Sequence, residues 1–243
     1  MDTVYPRATA SGDSAVIIEF GEEITADINA RVLGLDEALL AERPPGIIEA
    51  VPAYASLLIH YDPLATSFEG VSATALALAG GARQASPGRL RKVPICYEGE
   101  FGIDLPAVAA ELGFAIDEFI ERHSAPTYRV YMLGFQPGFA YLGGLDERLC
   151  LPRRTHIRHG APAGTISIAA SQCAVHAIDG PSGWHWIGRT PAQTYRVGEK
   201  PEFTFRAGDM VRFVPVSGLM WRELNTAAIG GESIIEDERP CLC

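Results

Sequence analysis

Lysine is almost missing from this sequence: of 20 basic residues only Lys92 and Lys200 are lysines, and the rest are arginines. No G-x-x-x-x-G-K-[ST] loop is present, which excludes a P-loop nucleotide site. Neither lysine sits in the methionine-flanked context of a biotin carrier, so no biotin is expected on this chain, and neither has a setting that suits a Schiff base. Cysteine is sparse too. The five, at 96, 150, 173, 241 and 243, include no C-x-x-C pair, and an odd, irregular set reads as reduced thiols. Long apolar runs are absent: nothing approaches the roughly 18 residues that span a bilayer, and no basic segment followed by an apolar stretch marks a signal peptide. These absences point to a cytoplasmic location with no membrane partner. Positive charge is short as well, with a net charge of −10. Nucleic acid is therefore an unexpected partner, and any anion site has to be a local basic cluster.

What is present divides in two. In the first 80 residues, "SAVIIEF" (14–20) is a run of strand length, and Ile28, Val32, Leu35 and Leu39 recur on one face of a helix that "RPPG" terminates. Two strand-like runs follow near 47–51 and 54–61, then an Ala/Leu-rich helix over 66–79 with a Gly-Gly stop. The pattern predicts β-β-α-β-β-α, an α+β domain over 1–81. "GARQASPGR" marks a linker at 82–89. Beyond it a strand, two short helices (the second capped by Asp117) and then almost only short strands predict a closed β-barrel over 90–230, because closure removes unprotected edges. "FRAGDMVRF" reads as a hairpin, and 231–243 as a mobile tail.

Three constellations could carry chemistry. "LGFQPGFAYLGGLDERLCLPRR" (133–154) crowds four glycines, two prolines and three aromatic rings; on pattern alone it is equally a ligand wall or a plug for one barrel end. "PRRTHIRHGAPAG" (152–164) is the densest basic cluster, with arginine forks suited to carboxylate or phosphate, or simply a solvated turn. His156 and His159 make a poor metal pair beside three guanidinium groups, and no metal site is expected. "ASQCAVHAIDGPSGWHWIGRTP" (170–191) offers Gln172 and a Ser182-Gly183-Trp184 turn, but "GPSGW" lacks the spacing of a nucleophile elbow. His123, at the end of a short helix, is a C-terminal cap or a site residue.

In order and spacing, "GDSAVIIEFG", "GIIEAVPAYASLLIHYDP", "GFQPGFAYLGGLDERLCLPRR", "APAGTISIA" and "GPSGWHWIGRTP" resemble the B-subunit family of the bacterial 5-oxoprolinases, also known as allophanate hydrolase subunit 1 or KipI-like. The most specific elements are G-F-x-P-G-F-x-Y-L-G-G-L (134–145) and S-G-W-x-x-I-G-R-T (182–190). The resemblance implies an α+β N-terminal domain followed by a cyclophilin-like closed barrel. It also implies two partner proteins, the larger, homologous C subunit of 5-oxoprolinase and its A subunit. Together the three convert 5-oxoproline to glutamate with hydrolysis of ATP. The nucleotide, with or without Mg2+, would be bound by the complex. Two alternatives come with the family: a regulatory protein that binds a sensor histidine kinase, and a urea-carboxylase-type component that acts on urea-derived carboxylates.

Matched residue by residue, the family positions are Phe135, Pro137, Gly138, Tyr141, Arg153, Arg154, Arg158, Gly164, Gln172, Gly183, Trp184, Gly188 and Arg189. Arg153, Arg154 and Arg189 are the expected anion contacts, Gln172 orients the substrate, and His123 is a further catalytic candidate. Phe135, Tyr141 and Trp184 supply walls, with Ser182 in the adjoining turn. The chain departs from the family's glycine-rich "AGGQTGIYP"-like stretch, carrying "AASQCAVHA" from Ala169; Cβ atoms added where glycine admits a ligand are expected to narrow the site.

Overall fold

The computed structural model describes residues 4–81, 85 and 88–238, and the chain divides into two compact units, 1–87 and 88–243. The expected linker at 82–89 lies largely outside the described residues, as do Cys241 and Cys243.

The first unit runs β1 (Arg7–Ala10), β2 (Ala15–Glu19), α1 (Ala26–Glu42), β3 (Ile47–Pro52), β4 (Ser56–Tyr61) and α2 (Phe68–Gly81). Its strands form an antiparallel sheet in the order β1-β2-β4-β3. Alternation decides which face is covered. Val16 and Ile18 on β2, with Leu57 and Ile59 on β4, are fully buried, and they meet Val32, Leu35 and Leu39 of α1 and Val71 of α2. Thr25 starts α1 by accepting a hydrogen bond from the Ile28 backbone N–H, and Arg43 ends it in left-handed backbone just before Pro44.

The second unit contains β5 (Leu90–Ile95), α3 (Leu105–Glu111), α4 (Ile116–Ser124), β6 (Tyr128–Leu133), β7 (Ala140–Gly143), β8 (Arg158–Ala161), β9 (Thr165–Ala169), β10 (Gln172–Val175), β11 (Gly180–Ser182), β12 (His185–Arg189), β13 (Met210–Pro215), α5 (Gly218–Ile229) and β14 (Glu236–Glu238). Eight strands join in the order β12-β9-β10-β7-β6-β13-β5-β14, and β8 pairs with β11 in a separate ribbon. Phe119, Tyr128, Leu142, Ile168 and Phe213 belong to the core against this sheet.

The expected closed barrel is not formed. The sheet is open, with β14 as an edge on β5; among the described residues its other edge, β12, pairs with the chain just past β5 through one isolated bridge, Cys96–Arg189, and no strand ladder joins the two edges. Beyond Cys96 the chain leaves for a 3-10 turn at Gly99–Phe101 and then α3, so no residues remain to extend that pairing.

Four other expectations change. "FRAGDMVRF" is not a hairpin, because β13 pairs parallel with β5 and antiparallel with β6. Buried Asp209 sets this: its carboxylate accepts the Arg206 and Arg89 backbone N–H groups and lies 3.5 Å from the Arg91 guanidinium. The segment expected to hold almost only short strands contains α5, capped by Ser217, whose hydroxyl accepts the Met220 N–H. Part of the expected tail 231–243 is ordered as β14, held to β5 by ion pairs of Lys92 with Glu238 and of Arg91 with Asp237. The N-cap of α4 is Ala115, and Asp117 sits inside the first turn.

Candidate functional site

The basic segment 152–158 is organised by Asp104, just before α3. The Asp104 backbone N–H donates to the Trp186 carbonyl at 3.0 Å, and its carboxylate accepts the Trp186 N–H at 2.8 Å, which fastens it to β12. Arg154 Nη1 donates to Oδ1 at 3.0 Å, and Arg158 donates through both Nη atoms at 3.0 and 2.9 Å. Burial works against the Asp104 charge, but hydrogen bonds from Arg158 and Trp186 and the two guanidinium charges outweigh it and hold the carboxyl below its usual range. The Arg158 guanidinium also lies 4.4 Å from the Trp186 ring centre. Thus two of the three clustered arginines already share one carboxylate.

The segment is stitched to its neighbour as well. The Arg154 backbone N–H donates to the Gly183 carbonyl at 2.8 Å, and Ser182 Oγ accepts the Trp184 N–H at 3.2 Å. Beside this joint opens a cleft of about 390 Å³. Phe135, Phe139, Tyr141 and Trp184 wall it, Arg153 and Arg154 edge it, and Ile157, His176, Pro181, Ser182 and Gly183 complete the lining. Phe139 is the hub, with ring centres 4.8 Å from Tyr141, 4.8 Å from His176 and 5.5 Å from Phe135.

Two backbone features shape the wall. Phe135 is exposed at the lip with φ 68, a left-handed conformation that costs a bulky residue about 1–2 kcal/mol. Gly138 has φ +73, and a Cβ there would stand 2.9 Å from the Ala177 Cβ, so only glycine lets the loop close down.

Arg153 differs from its neighbours. It is exposed, its guanidinium lies 5.8 Å from the Trp184 ring centre, and among the described residues it has no carboxylate partner. It is the arginine at the cleft whose charge is not already matched.

The structure therefore brings together Phe135, Tyr141, Arg153, Arg154, Ser182, Gly183 and Trp184, and sets the other candidates apart. Arg158 is spent on Asp104. Arg189 lies at the far end of β12, donating to the Ala163 carbonyl at 2.8 Å and stacking 5.2 Å from the Trp221 ring centre, while burial lowers its pKa. Gln172 opens β10 away from the cleft lining, and Pro137 is exposed in the turn before Gly138. Gly188 packs against Ile95.

His123 is a core residue: fully buried, 2.7 Å from the Tyr97 hydroxyl through Nδ1, and stacked on Phe213. Burial pushes its pKa down to about 3, so it stays neutral. Gly164 has φ +83, and a Cβ there would fall 2.2 Å from the Thr190 carbonyl oxygen. Gly164→Ala is expected to destabilise this unit by about 2–4 kcal/mol, read as a lowered urea midpoint by tryptophan fluorescence. All three tryptophans (184, 186 and 221) lie in this unit.

The departure beginning at Ala169 sets Ala169 and Ala174 behind the Phe139 and Trp184 walls, outside the cleft lining. Ala170 takes φ 50 in the turn between β9 and β10, and residues 169–173 are not among the lining. That stretch reaches the site instead through His176. Asp104, Ile157 and His176 were not singled out from the sequence, whereas Phe139 is one of the three rings of 133–154 read there as a possible wall. Asp104 lies 50 residues before Arg154, and no local pattern joins them. Among the described residues no group of three or more His, Cys, Asp or Glu is placed to hold a metal ion, and no helix is long and apolar enough to cross a membrane.

The sequence profile of the carboxyltransferase domain, subdomain C and D, matches residues 6–205. A 5-oxoprolinase B subunit from Bacillus subtilis (strain 168) is 40% identical over 228 residues, covering 88% of this chain and 95% of that protein. The crystal structure of TTHA0988 shares 37% identity at a TM-score of 0.76; the match covers 84% of this chain, which spans 40% of that longer one. The Kluyveromyces lactis urea carboxylase, 17% identical at a TM-score of 0.77, covers 95% of this chain and shares its fold; the match takes up 23% of that enzyme.

Proposed function

The chain belongs to the 5-oxoprolinase B-subunit family of carboxyltransferase-domain proteins, and from that premise we propose that it is the B subunit of an ATP-dependent 5-oxoprolinase, with the aromatic cleft as its substrate site. The observation that carries this reading is the pairing of apolar walls with one unmatched guanidinium, Arg153. 5-Oxoproline is a small ring bearing one carboxylate. A cleft of about 390 Å³ suits it, the aromatic walls formed by Phe135, Phe139, Tyr141 and Trp184 would pack against the ring, and Arg153 would take the carboxylate.

The residues present fit ATP poorly. The sequence has no P-loop, the cleft wall is mostly aromatic, and among the described residues no cluster of acidic or imidazole groups is placed for a magnesium ion. The nucleotide is therefore assigned to another part of the complex, and this chain's task is to bind and orient the lactam. The A and C subunits of the enzyme are the partners this requires.

The test is reconstitution with the purified A and C subunits. Phosphate release that depends on 5-oxoproline and on this chain supports the reading. No turnover with every subunit present, together with binding to a sensor histidine kinase, would favour the regulatory alternative. In the active complex Arg153→Ala is expected to raise KM for 5-oxoproline by about ten- to a hundredfold while kcat changes less. An unchanged KM would misplace the carboxylate contact.

A further inference from the structure

His176 is the lining residue whose polar chemistry is still unused. It follows β10 directly, and its backbone is pinned on both sides: its N–H donates to the Thr165 carbonyl at 2.9 Å, and its carbonyl accepts the Gly164 N–H at 2.8 Å. The ring is therefore presented from a fixed frame. It is the most buried of the residues lining the cleft, at 1% exposure, and Phe139 stands edge-on to it.

Its two nitrogens are treated differently. Nε2 lies 3.0 Å from Ser167 Oγ, whereas Nδ1 is buried with no hydrogen-bond partner among the described residues. Ser167 is fully buried, and its hydroxyl meets His176 alone among the described residues. If Nε2 carried the proton, the Ser167 hydroxyl hydrogen would have no acceptor, and a buried unsatisfied donor is costly. Either tautomer leaves one buried proton without an acceptor among the described residues; with the Ser167 O–H donating to Nε2 that proton sits on Nδ1, in a residue that lines the cleft, where a ligand oxygen can accept it.

Resting on the oxoprolinase reading, we infer that His176 is a fixed, neutral hydrogen-bond donor that holds the ring carbonyl oxygen of the bound lactam through Nδ1–H, with Ser167 as the positioning residue that sets its tautomer. The partition between the two recognition groups follows from charge. A carboxylate belongs with the cation Arg153, whereas a neutral donor among aromatic rings suits a neutral carbonyl. Burial lowers the His176 pKa to about 4, which keeps the ring uncharged near neutrality. With Nε2 occupied by the serine proton and Nδ1 protonated, neither nitrogen has a lone pair free to take a proton from substrate. His176 is thus a donor and not a general base. The site selects for a compact acid carrying one carboxylate and one carbonyl.

The test combines the reconstituted complex with nitrogen-15 histidine spectra of the full chain. In the spectra His176, assigned through His176→Asn, is expected as the neutral Nδ1–H tautomer, and Ser167→Ala should shift it toward Nε2–H. In the complex His176→Phe should lower kcat/KM for 5-oxoproline by about ten- to a hundredfold. His176→Asn, whose amide nitrogen lies near the place of Nδ1, should recover most of that loss. Tryptophan fluorescence confirms that each variant is folded. An Nε2–H tautomer in the wild type, or an active complex indifferent to His176→Phe, would overturn the inference alone. A wild-type complex with no oxoproline-dependent turnover would overturn it together with the reading on which it rests.

Discussion

Asp104→Ala is expected to destabilise the second unit by about 3 kcal/mol or more and to disable the complex. The carboxylate accepts from Arg154, from both Nη atoms of Arg158 and from the Trp186 backbone N–H. Alanine leaves all of those donors without an acceptor in a mostly buried place. Removing one partner of a buried pair costs about 3–5 kcal/mol, because the other charge stays behind unmatched; the partly exposed guanidinium groups put the value at the lower end. The functional loss follows from geometry. Arg154 anchors the turn that carries Trp184, and it is the neighbour of Arg153. Freed, segment 152–158 no longer fixes either cleft wall. Urea unfolding followed by tryptophan fluorescence gives the stability change, and phosphate release by the complex gives the activity. A midpoint within experimental error of wild type would contradict the role assigned to Asp104. Asp104→Asn, which keeps one acceptor oxygen, should fall between the two.

The second large effect is with pH. His123 and His176 are buried and neutral, with pKa values depressed to about 3 and about 4. Unfolding returns each to about 6.5, so between those limits the unfolded chain binds more protons. Their contribution is complete above about pH 6.5 and is lost as pH falls toward the folded values. Two such groups give a slope of up to about 2.7 kcal/mol per pH unit within the window, or roughly 3–4 kcal/mol lost between about pH 7 and pH 5. Asp104, held low, adds a loss of the same sign only at more acid pH. Asp36 runs the other way, since burial and then Glu37 raise it to about 6, but it belongs to the first unit and is silent to tryptophan. His123→Gln should remove about half of the slope. A stability of the second unit that is flat from about pH 7 to pH 5 would show that these histidines are charged or solvated in the folded chain.

Legibility in the sequence follows the range of the interactions. In the first unit the period-two burial of Val16, Ile18, Leu57 and Ile59 and the helical spacing of Val32, Leu35 and Leu39 are local patterns, and the element order β-β-α-β-β-α appears as expected. In the second unit β13 pairs parallel with a strand about 120 residues earlier, and the residue that arranges it, Asp209, looks like an ordinary turn aspartate. Helix α5 does carry a local signature, the Ser217 cap and the Gly230 stop, but the surrounding run of short strands masked it.

The site divides in the same way. The aromatic and arginine residues cluster within the sequence, so the cleft's walls were legible. Which arginine remains unmatched was not, because that depends on Asp104 reaching from the start of α3. Arg189, close to Trp184 in sequence, points to the Trp221 side of the unit instead. His176 depends on Ser167 across the β9–β10 pair, which no spacing rule announces.

The most direct measurement is a crystal structure of the reconstituted complex with 5-oxoproline bound. The ligand is predicted in the cleft, against the walls that Phe139 and Trp184 contribute, with its carboxylate on Arg153 and its ring carbonyl at hydrogen-bond distance from His176 Nδ1. Clear density for 5-oxoproline elsewhere in the assembly, with this cleft empty of it, would contradict the assignment.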